Sequence, residues 1–338
     1  MKAERIIFPE PWQARLEPFT VQEIPGIHEI VLRTRTTAIS PGTELAVYTG
    51  RHSALKDPSS AWPRFPFEPG YSLVGDVIAV GSDVKDFKVG QRVYARAGHA
   101  SHSVLSPEQA AAVRIPEGIE DEEASYASLV AIVLNGVRLA EVQIGEVVVV
   151  IGLGMIGQLA AQIARVAGAL ETIGSDLLPN RRKLAERLGI SCTVDPESQS
   201  LVEIVRSATN GHGADIVIEA TGNAKVIPNA FRLAREMGRV VLLGSPHGVV
   251  DTDFYSEVHR RSLRIIGAHE RSAGHTETPH HRWTTAGNEM LGMTLIAQGR
   301  LHVHDLITDV VAPSDAPMVY AKLTTCPGDS LGVIIDWR

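Results

Sequence analysis

Two cysteines, Cys192 and Cys326, are all that the 338 residues contain, and they form no CxxC pair. That excludes a disulfide scaffold and a cysteine-based zinc site. Positive charge is also in deficit. Against 39 Asp and Glu stand 32 Lys and Arg, a formal net charge of −7, so neither nucleic acid nor an anionic membrane has an electrostatic claim as partner. A small-molecule substrate is expected instead. No apolar run approaches the roughly 20 residues that span a bilayer. The opening stretch from Met1 is broken at Pro9 and Glu10 before it could form a signal-peptide core, so a cytoplasmic protein is expected. Repeats and low-complexity tracts are absent too.

What is present is ordinary globular composition, 44% apolar and 21% charged, in a chain too long for one typical domain. From Glu29 to Ser40, Val74 to Val80 and Gln91 to Ala95 the sequence is β-rich and punctuated by glycine, which predicts a compact, irregular β domain. After Ile119 short apolar strands alternate with helical segments, the pattern of a parallel α/β sheet. Strands are expected at Val147–Ile151, Glu171–Ser175, Ala214–Glu219, Arg239–Gly244 and Leu263–Gly267. A helical stretch runs from about Thr284 to Ile296, and β-like pieces follow. We expect one domain over 1–118 and 284–338, with the α/β domain, 119–283, inserted in it.

The strand Val147–Ile151 leads directly into Gly152, Gly154 and Gly157, a GxGxxG loop, and then into a helix with Ile156, Leu159, Ile163 and Val166 along one stripe. Gly152 allows the tight turn, Gly154 lets a pyrophosphate approach the backbone and Gly157 permits close helix packing. The helix N-terminus supplies N–H donors and partial positive charge, so Met155 and Ile156 join the candidate cofactor contacts. Asp176 lies 19 residues beyond Gly157, at the end of the next expected strand. A carboxylate there accepts hydrogen bonds from ribose hydroxyls and repels a 2′-phosphate, favouring NAD over NADP. Arg181 and Arg182 follow closely and are the counterweight, since either could reach a phosphate.

Together with Gly70-Tyr71-Ser72-Leu73-Val74-Gly75-Asp76-Val77 and Val89-Gly90-Gln91-Arg92-Val93, and with the segments Gly213 to Gly222 and Gly238 to Gly244, these residues resemble the medium-chain dehydrogenase/reductase superfamily over nearly the whole chain. The resemblance implies a GroES-like catalytic domain interrupted by a Rossmann domain, an active site in the cleft between them, and cofactor contacts at Thr221 and Gly244. A homo-oligomer, dimer or tetramer, is expected. The departures are informative. Where zinc-dependent members carry Cys-Gly-Ser/Thr-Asp, this chain has Pro41-Gly42-Thr43-Glu44, with Ser40 beside it. Their Gly-His-Glu is Gly70-Tyr71-Ser72, and the third ligand position falls near Ser128. At the three ligand positions Pro41, Tyr71 and Ser128 offer no thiolate, imidazole or carboxylate, so a zinc-free branch, similar to the bacteriochlorophyllide a dehydrogenases, is expected.

Without a Lewis acid, positioned donors and a proton carrier must polarise the reacting oxygen. Tyr71, at the vacated histidine position, and His99, in Gly98-His99-Ala100-Ser101-His102, are the leading catalytic candidates. Thr43, at a proton-relaying hydroxyl position, and Glu44 beside it come next, with Ser40 and Ser128 as further polar contacts. His269, His275, His280 and His281 fall in a Gly-, Thr- and Pro-interrupted stretch that reads as a solvated or substrate-facing loop, not a metal site. The expected activity is NAD-dependent interconversion of a secondary alcohol, polyol, cyclitol or sugar-like, with its ketone. An NADPH-dependent quinone or enoyl reductase, and a non-catalytic nucleotide-binding protein, remain the alternatives.

Overall fold

β-Branched and aromatic residues crowd the strands of the first third of the chain. The computed structural model, which describes residues 1–278 and 282–338, folds them into β1 (Lys2–Ile7), β2 (Arg15–Thr20), β3 (Ile30–Ala38), β4 (Leu73–Val80), β5 (Arg92–Ala95), β6 (His102–Leu105) and β7 (Val113–Arg114). Helix α1 (Pro41–Tyr48) follows β3. It opens with Pro41 in its first turn, where a missing N–H leaves no helical bond unmade. The short α2 (Asp121–Ala124) follows β7.

From α3 (Ala127–Leu139) the alternation changes character. β8 (Val147–Ile151), α4 (Met155–Ala167), β9 (Glu171–Ser175), α5 (Pro179–Arg187), β10 (Cys192–Val194), α6 (Leu201–Ala208), β11 (Ala214–Glu219), α7 (Ile227–Leu233), β12 (Ala234–Leu242) and β13 (Arg264–Gly267) succeed one another. Their strands form one parallel sheet in the order β10-β9-β8-β11-β12-β13. This is the doubly wound arrangement, with its switch point between β8 and β11. Val148, Val149 and Val150 are fully buried because both faces of the sheet are covered. Val149, Ile173, Val205, Val217, Phe231 and Val240 form the centre of one core. Val130–Gly274 and Arg300–His302 make up this unit. The strand expected from Arg239 begins earlier, at Ala234, and β10 was not anticipated, being too short to show a period.

The remainder of the chain supplies α8 (Thr285–Ala297), β14 (Ile307–Val311), α9 (Ala316–Thr325) and β15 (Gly332–Asp336). Met1–Leu129, His275–Gly299 and Val303–Arg338 constitute the other unit. Its main sheet runs β14-β15-β3-β4-β5-β7, with β6 also on β3, while β1 and β2 pair separately. β15 lies antiparallel to β3, Ile334 opposite Ala38. One core gathers Ile6, Phe8, Ile39, Val47, Tyr320 and Val333, and a second gathers Leu32, Leu73, Val77 and Val93. The chain is of the expected α/β class. Among the described residues no helix is long and apolar enough to cross a membrane.

Candidate active site

The α/β unit carries a cradle made mostly of backbone. Gly152 turns with φ +89°, and a Cβ there would stand 2.6 Å from Thr221 Cγ2. At Gly157 a Cβ would fall 1.8 Å from the Gly152 carbonyl oxygen, so α4 approaches the loop as closely as only glycine permits. Gly154 is the N-cap of α4 and faces open space, with Arg181 Nη1 the nearest atom to a hypothetical Cβ at 3.8 Å. Met155 and Ile156 open the helix behind it. Thr221 and Gly244 lie past the ends of β11 and β12, where a Cβ on Gly244 would be 2.5 Å from Gly222 N. The expected cofactor residues therefore lie past the carboxyl ends of these strands, on the loops or in the first turns of α4 and α5, the region where such folds take their ligands.

Asp176 is buried beside that loop. Its Oδ2 accepts from Leu153 N at 2.7 Å and its Oδ1 from Leu178 N at 2.8 Å, while Arg181 Nη1 sits 3.7 Å from Oδ2. Arg182 is committed elsewhere, donating to the carbonyls of Asp176 and Leu177 and pairing with Asp195 at 3.1 Å. Two residues escaped assignment from sequence. Gln158 donates to Arg181 O at 2.9 Å and ties α4 to the start of α5. Glu219, at the end of β11, accepts from Thr221 N at 2.6 Å and from the Thr221 hydroxyl, and its burial raises its pKa.

The β-rich unit carries a cluster of hydroxyls. Ser40, the N-cap of α1, accepts a hydrogen bond from the Tyr71 phenol at 2.6 Å. Its N–H donates to Glu44 Oε1 at 2.8 Å, and Glu44 Oε2 takes the Tyr320 phenol at 2.5 Å and faces His99 Nε2 at 3.1 Å. Burial, reinforced by the neighbouring carboxylate, holds the Tyr320 phenol well above its ordinary pKa. Ser72 donates to Ser125 O, and Ser125 shares a 2.8 Å hydrogen bond with Thr36. Ser128 is fully buried, and Thr43 is half-buried on α1. A neighbouring group joins Tyr94, Arg96 and Glu289: the carboxylate accepts from Arg96 Nε at 2.5 Å and from the Tyr94 phenol at 3.1 Å.

Sequence reading named Tyr71, His99, Thr43 and Glu44 as candidates; the structure brings Glu44 and His99 into contact, pairs Tyr71 with Ser40 and leaves Thr43 half-buried on α1. The His99 ring is wholly buried, 0% exposed, and lies against Gly70. Tyr320 was missed, and nothing local could have signalled it, because it lies 276 residues from Glu44. His269 caps a short helical turn, its Nδ1 accepting from Arg271 N at 3.1 Å, and His275 is exposed. His280 and His281 lie outside the described residues. Among the described residues no three His, Cys, Asp or Glu come together to hold a metal ion.

A glycine-turn cradle at the switch point of a doubly wound sheet, carried in one chain with a β-rich unit bearing a cluster of buried hydroxyls, a carboxylate and an imidazole, points to a dinucleotide-dependent oxidoreductase. Comparison with known proteins narrows this. Residues 26–137 match the alcohol dehydrogenase GroES-like domain and residues 156–288 the zinc-binding dehydrogenase family. L-threonine 3-dehydrogenase of Symbiobacterium thermophilum is 30% identical, over 73% of this chain and 78% of that protein. D-guloside 3-dehydrogenase of Escherichia coli K12 is 28% identical, over 87% and 89%. A Sinorhizobium meliloti 1021 structure, classed with the zinc-binding dehydrogenases and bound to NADP, superposes with TM-score 0.83 at 23% identity, covering 99% of both chains. The chain belongs to the medium-chain dehydrogenase/reductase superfamily, as a dehydrogenase acting on CH–OH groups.

Proposed function

We propose that this dehydrogenase oxidises a secondary alcohol of polyol, cyclitol or sugar-like type with NAD, reversibly and without zinc. The observation that carries the zinc-free reading is the chemistry of the donor set. The family's ligand positions are filled here by Pro41, Tyr71 and Ser128, next to Ser40 and Ser72, so that a pyrrolidine ring and hydroxyls stand where zinc needs thiolate, imidazole or carboxylate. The nearest carboxylate, Glu44, is already engaged by Ser40 N, Tyr320 and His99. These residues do not fit the metal. The threonine and guloside relatives, both named as 3-dehydrogenases, support a polar hydroxylated substrate.

The dinucleotide does fit. The Gly152–Gly157 loop and the N-terminus of α4 would hold its phosphates, and Asp176, at the strand end, would take the ribose hydroxyls. Arg182 is occupied by three protein partners, which leaves Arg181 as the one nearby guanidinium for a 2′-phosphate, and it stands against a carboxylate. When bound, the nicotinamide supplies the hydride acceptor. The Tyr71–Ser40 pair holds the proton side of the reaction. Ser40 Oγ accepts the single proton of the Tyr71 phenol, which leaves the Ser40 O–H as the donor to developing negative charge on the substrate oxygen and makes the phenol the group that aims and strengthens that donor.

The test is elemental analysis of the purified enzyme together with turnover on a panel of polyols and sugars before and after chelation. Substoichiometric metal with unchanged turnover is expected. One tightly held zinc per chain, lost together with activity, would overturn the reading.

A further inference from the structure

We propose that Glu44, His99 and Tyr320 form a buried positioning set that fixes the Tyr71–Ser40 hydroxyl pair; the inference rests on reading that pair as the polarising group. The two hydroxyls come from different elements, Ser40 from the start of α1 and Tyr71 from the turn before β4. Something must hold those elements in register to within a fraction of an ångström for the 2.6 Å bond to persist. Both are anchored to the same buried unit. The Ser40 N–H ends on Glu44 Oε1 at 2.8 Å. The residue before Tyr71 is Gly70, at φ +92°, and it lies flat on the His99 imidazole: a Cβ there would stand 2.8 Å from Cε1, Cγ and Nδ1. His99 Nε2 and Glu44 Oε2 are themselves 3.1 Å apart. The carboxylate and the imidazole thus act as a single block, with one end under Ser40 and the other under Tyr71.

Tyr320 closes this block from α9. Its phenol donates to Glu44 Oε2, and its ring packs edge-on to Phe8 with centroids 4.8 Å apart. All three side chains are shielded from water, where hydrogen bonds to a charge are short and directional and resist rearrangement. Packing alone does not account for the set. A carboxylate acceptor places the imidazole proton on Nε2, and Nδ1 is then a buried lone pair with no partner among the described residues. An apolar ring of the same size would not carry that cost. The imidazole is retained because it joins Glu44 to the floor of the Tyr71 turn.

Three variants test this: Tyr320→Phe, which deletes one oxygen; His99→Leu, which deletes the bridge; and His99→Gln, which restores a donor toward Glu44. Crystal structures give the Tyr71–Ser40 oxygen separation directly, and kinetics with NAD and the best substrate give kcat and KM. Tyr320→Phe and His99→Leu are expected to open the hydroxyl pair beyond hydrogen-bond distance and to lower kcat by about 10- to 100-fold, with NAD affinity within about twofold. His99→Gln should recover most of both. A pair still at its wild-type separation in Tyr320→Phe and His99→Leu overturns the positioning role, whatever the turnover. So does a His99→Gln variant no better than His99→Leu. Should His99→Leu fail to fold, Tyr320→Phe against His99→Gln decides on the same separation. Full turnover in Tyr71→Phe would instead sink the reading of the pair, and the measured separations would still judge the positioning set.

Discussion

The cofactor cradle and the hydroxyl cluster solve the problem of preorganisation with different materials. In the α/β unit the groups proposed to recognise the dinucleotide are backbone N–H groups held by closely packed glycine turns. A Cβ at Gly152, Gly157 or Gly244 would meet a neighbour at 2.6, 1.8 or 2.5 Å. Such a site tolerates almost no change at these three glycines, though Gly154 beside them faces open space. In the β-rich unit the proposed working groups are side-chain hydroxyls, a carboxylate and an imidazole, contributed by α1, α9 and the segments between strands and joined by hydrogen bonds to one another. The first site is rigid because its atoms cannot be elsewhere. The second is rigid because its polar groups satisfy one another in the absence of water.

The sharpest way to break that contrast is to remove one hydroxyl from the cluster. Tyr71→Phe is expected to cost about 2.7 to 4 kcal/mol of transition-state stabilisation, a roughly 100- to 1000-fold loss of kcat, with no change in NAD affinity. Steady-state kinetics beside equilibrium cofactor titration would show it, and turnover within about threefold of wild type would end the assignment.

A cradle that selects through Asp176 makes the next largest claim. Asp176→Ala removes a charged hydrogen-bond acceptor worth about 1.5 to 3 kcal/mol, so NAD affinity should fall by about 10- to 100-fold while NADP affinity rises. Both dissociation constants, measured for wild type and variant, check this. Tighter NADP binding by the wild type would reverse the assignment, leaving Arg181 as the specificity residue.

Gly157→Ala comes third. Its methyl would overlap the Gly152 carbonyl, and the loop must shift at a cost of about 1 to 3 kcal/mol in stability. The comparable change at Gly42 in α1, where a Cβ meets nothing within 4 Å, should cost much less. Denaturant melts of the two variants compare backbone crowding in the two units directly.

The smallest effect concerns pH. Burial raises the folded-state pKa of Glu219 above its unfolded value, with Thr221 opposing. The folded chain therefore binds the extra proton more readily, and this contribution is full below the unfolded pKa and lost as pH rises through the folded one. Glu219→Gln cannot titrate, so its melting temperature should fall less than that of wild type from about pH 4 towards neutrality. Parallel profiles for the two proteins would mean that Glu219 is not the group responsible.

What could be read from the residues follows the same division. The cradle is local: strand, glycine turn, helix and acid occur within about thirty consecutive residues, and β8, β9 and β11 lie at the positions expected. The hydroxyl cluster is not local. Tyr71 and Glu44 stand out because they occupy motif positions, but the ring of contacts that gives them meaning joins residues 4, 31, 55 and 276 positions apart. His99 was legible as a polar candidate and illegible as a buried one, since a Gly-His-Ala-Ser-His stretch carries no hydrophobic period. β10 and the early start of β12 escaped for a similar reason, because edge and transition residues take their conformation from the neighbouring strand.

The segmented construction of the β-rich unit also has a consequence for biosynthesis. A ribosome delivers Val130–Gly274, nearly all of the α/β unit, as one continuous stretch, and its parallel sheet can close as soon as β13 emerges. β3 must wait for β15 to cover its flank, and Glu44 waits for the Tyr320 phenol, both supplied by the last two dozen residues. Until then a buried-type carboxylate is left to water. On the proposed reading, therefore, a nascent chain completes the unit that would grip the dinucleotide before it completes the hydroxyl cluster.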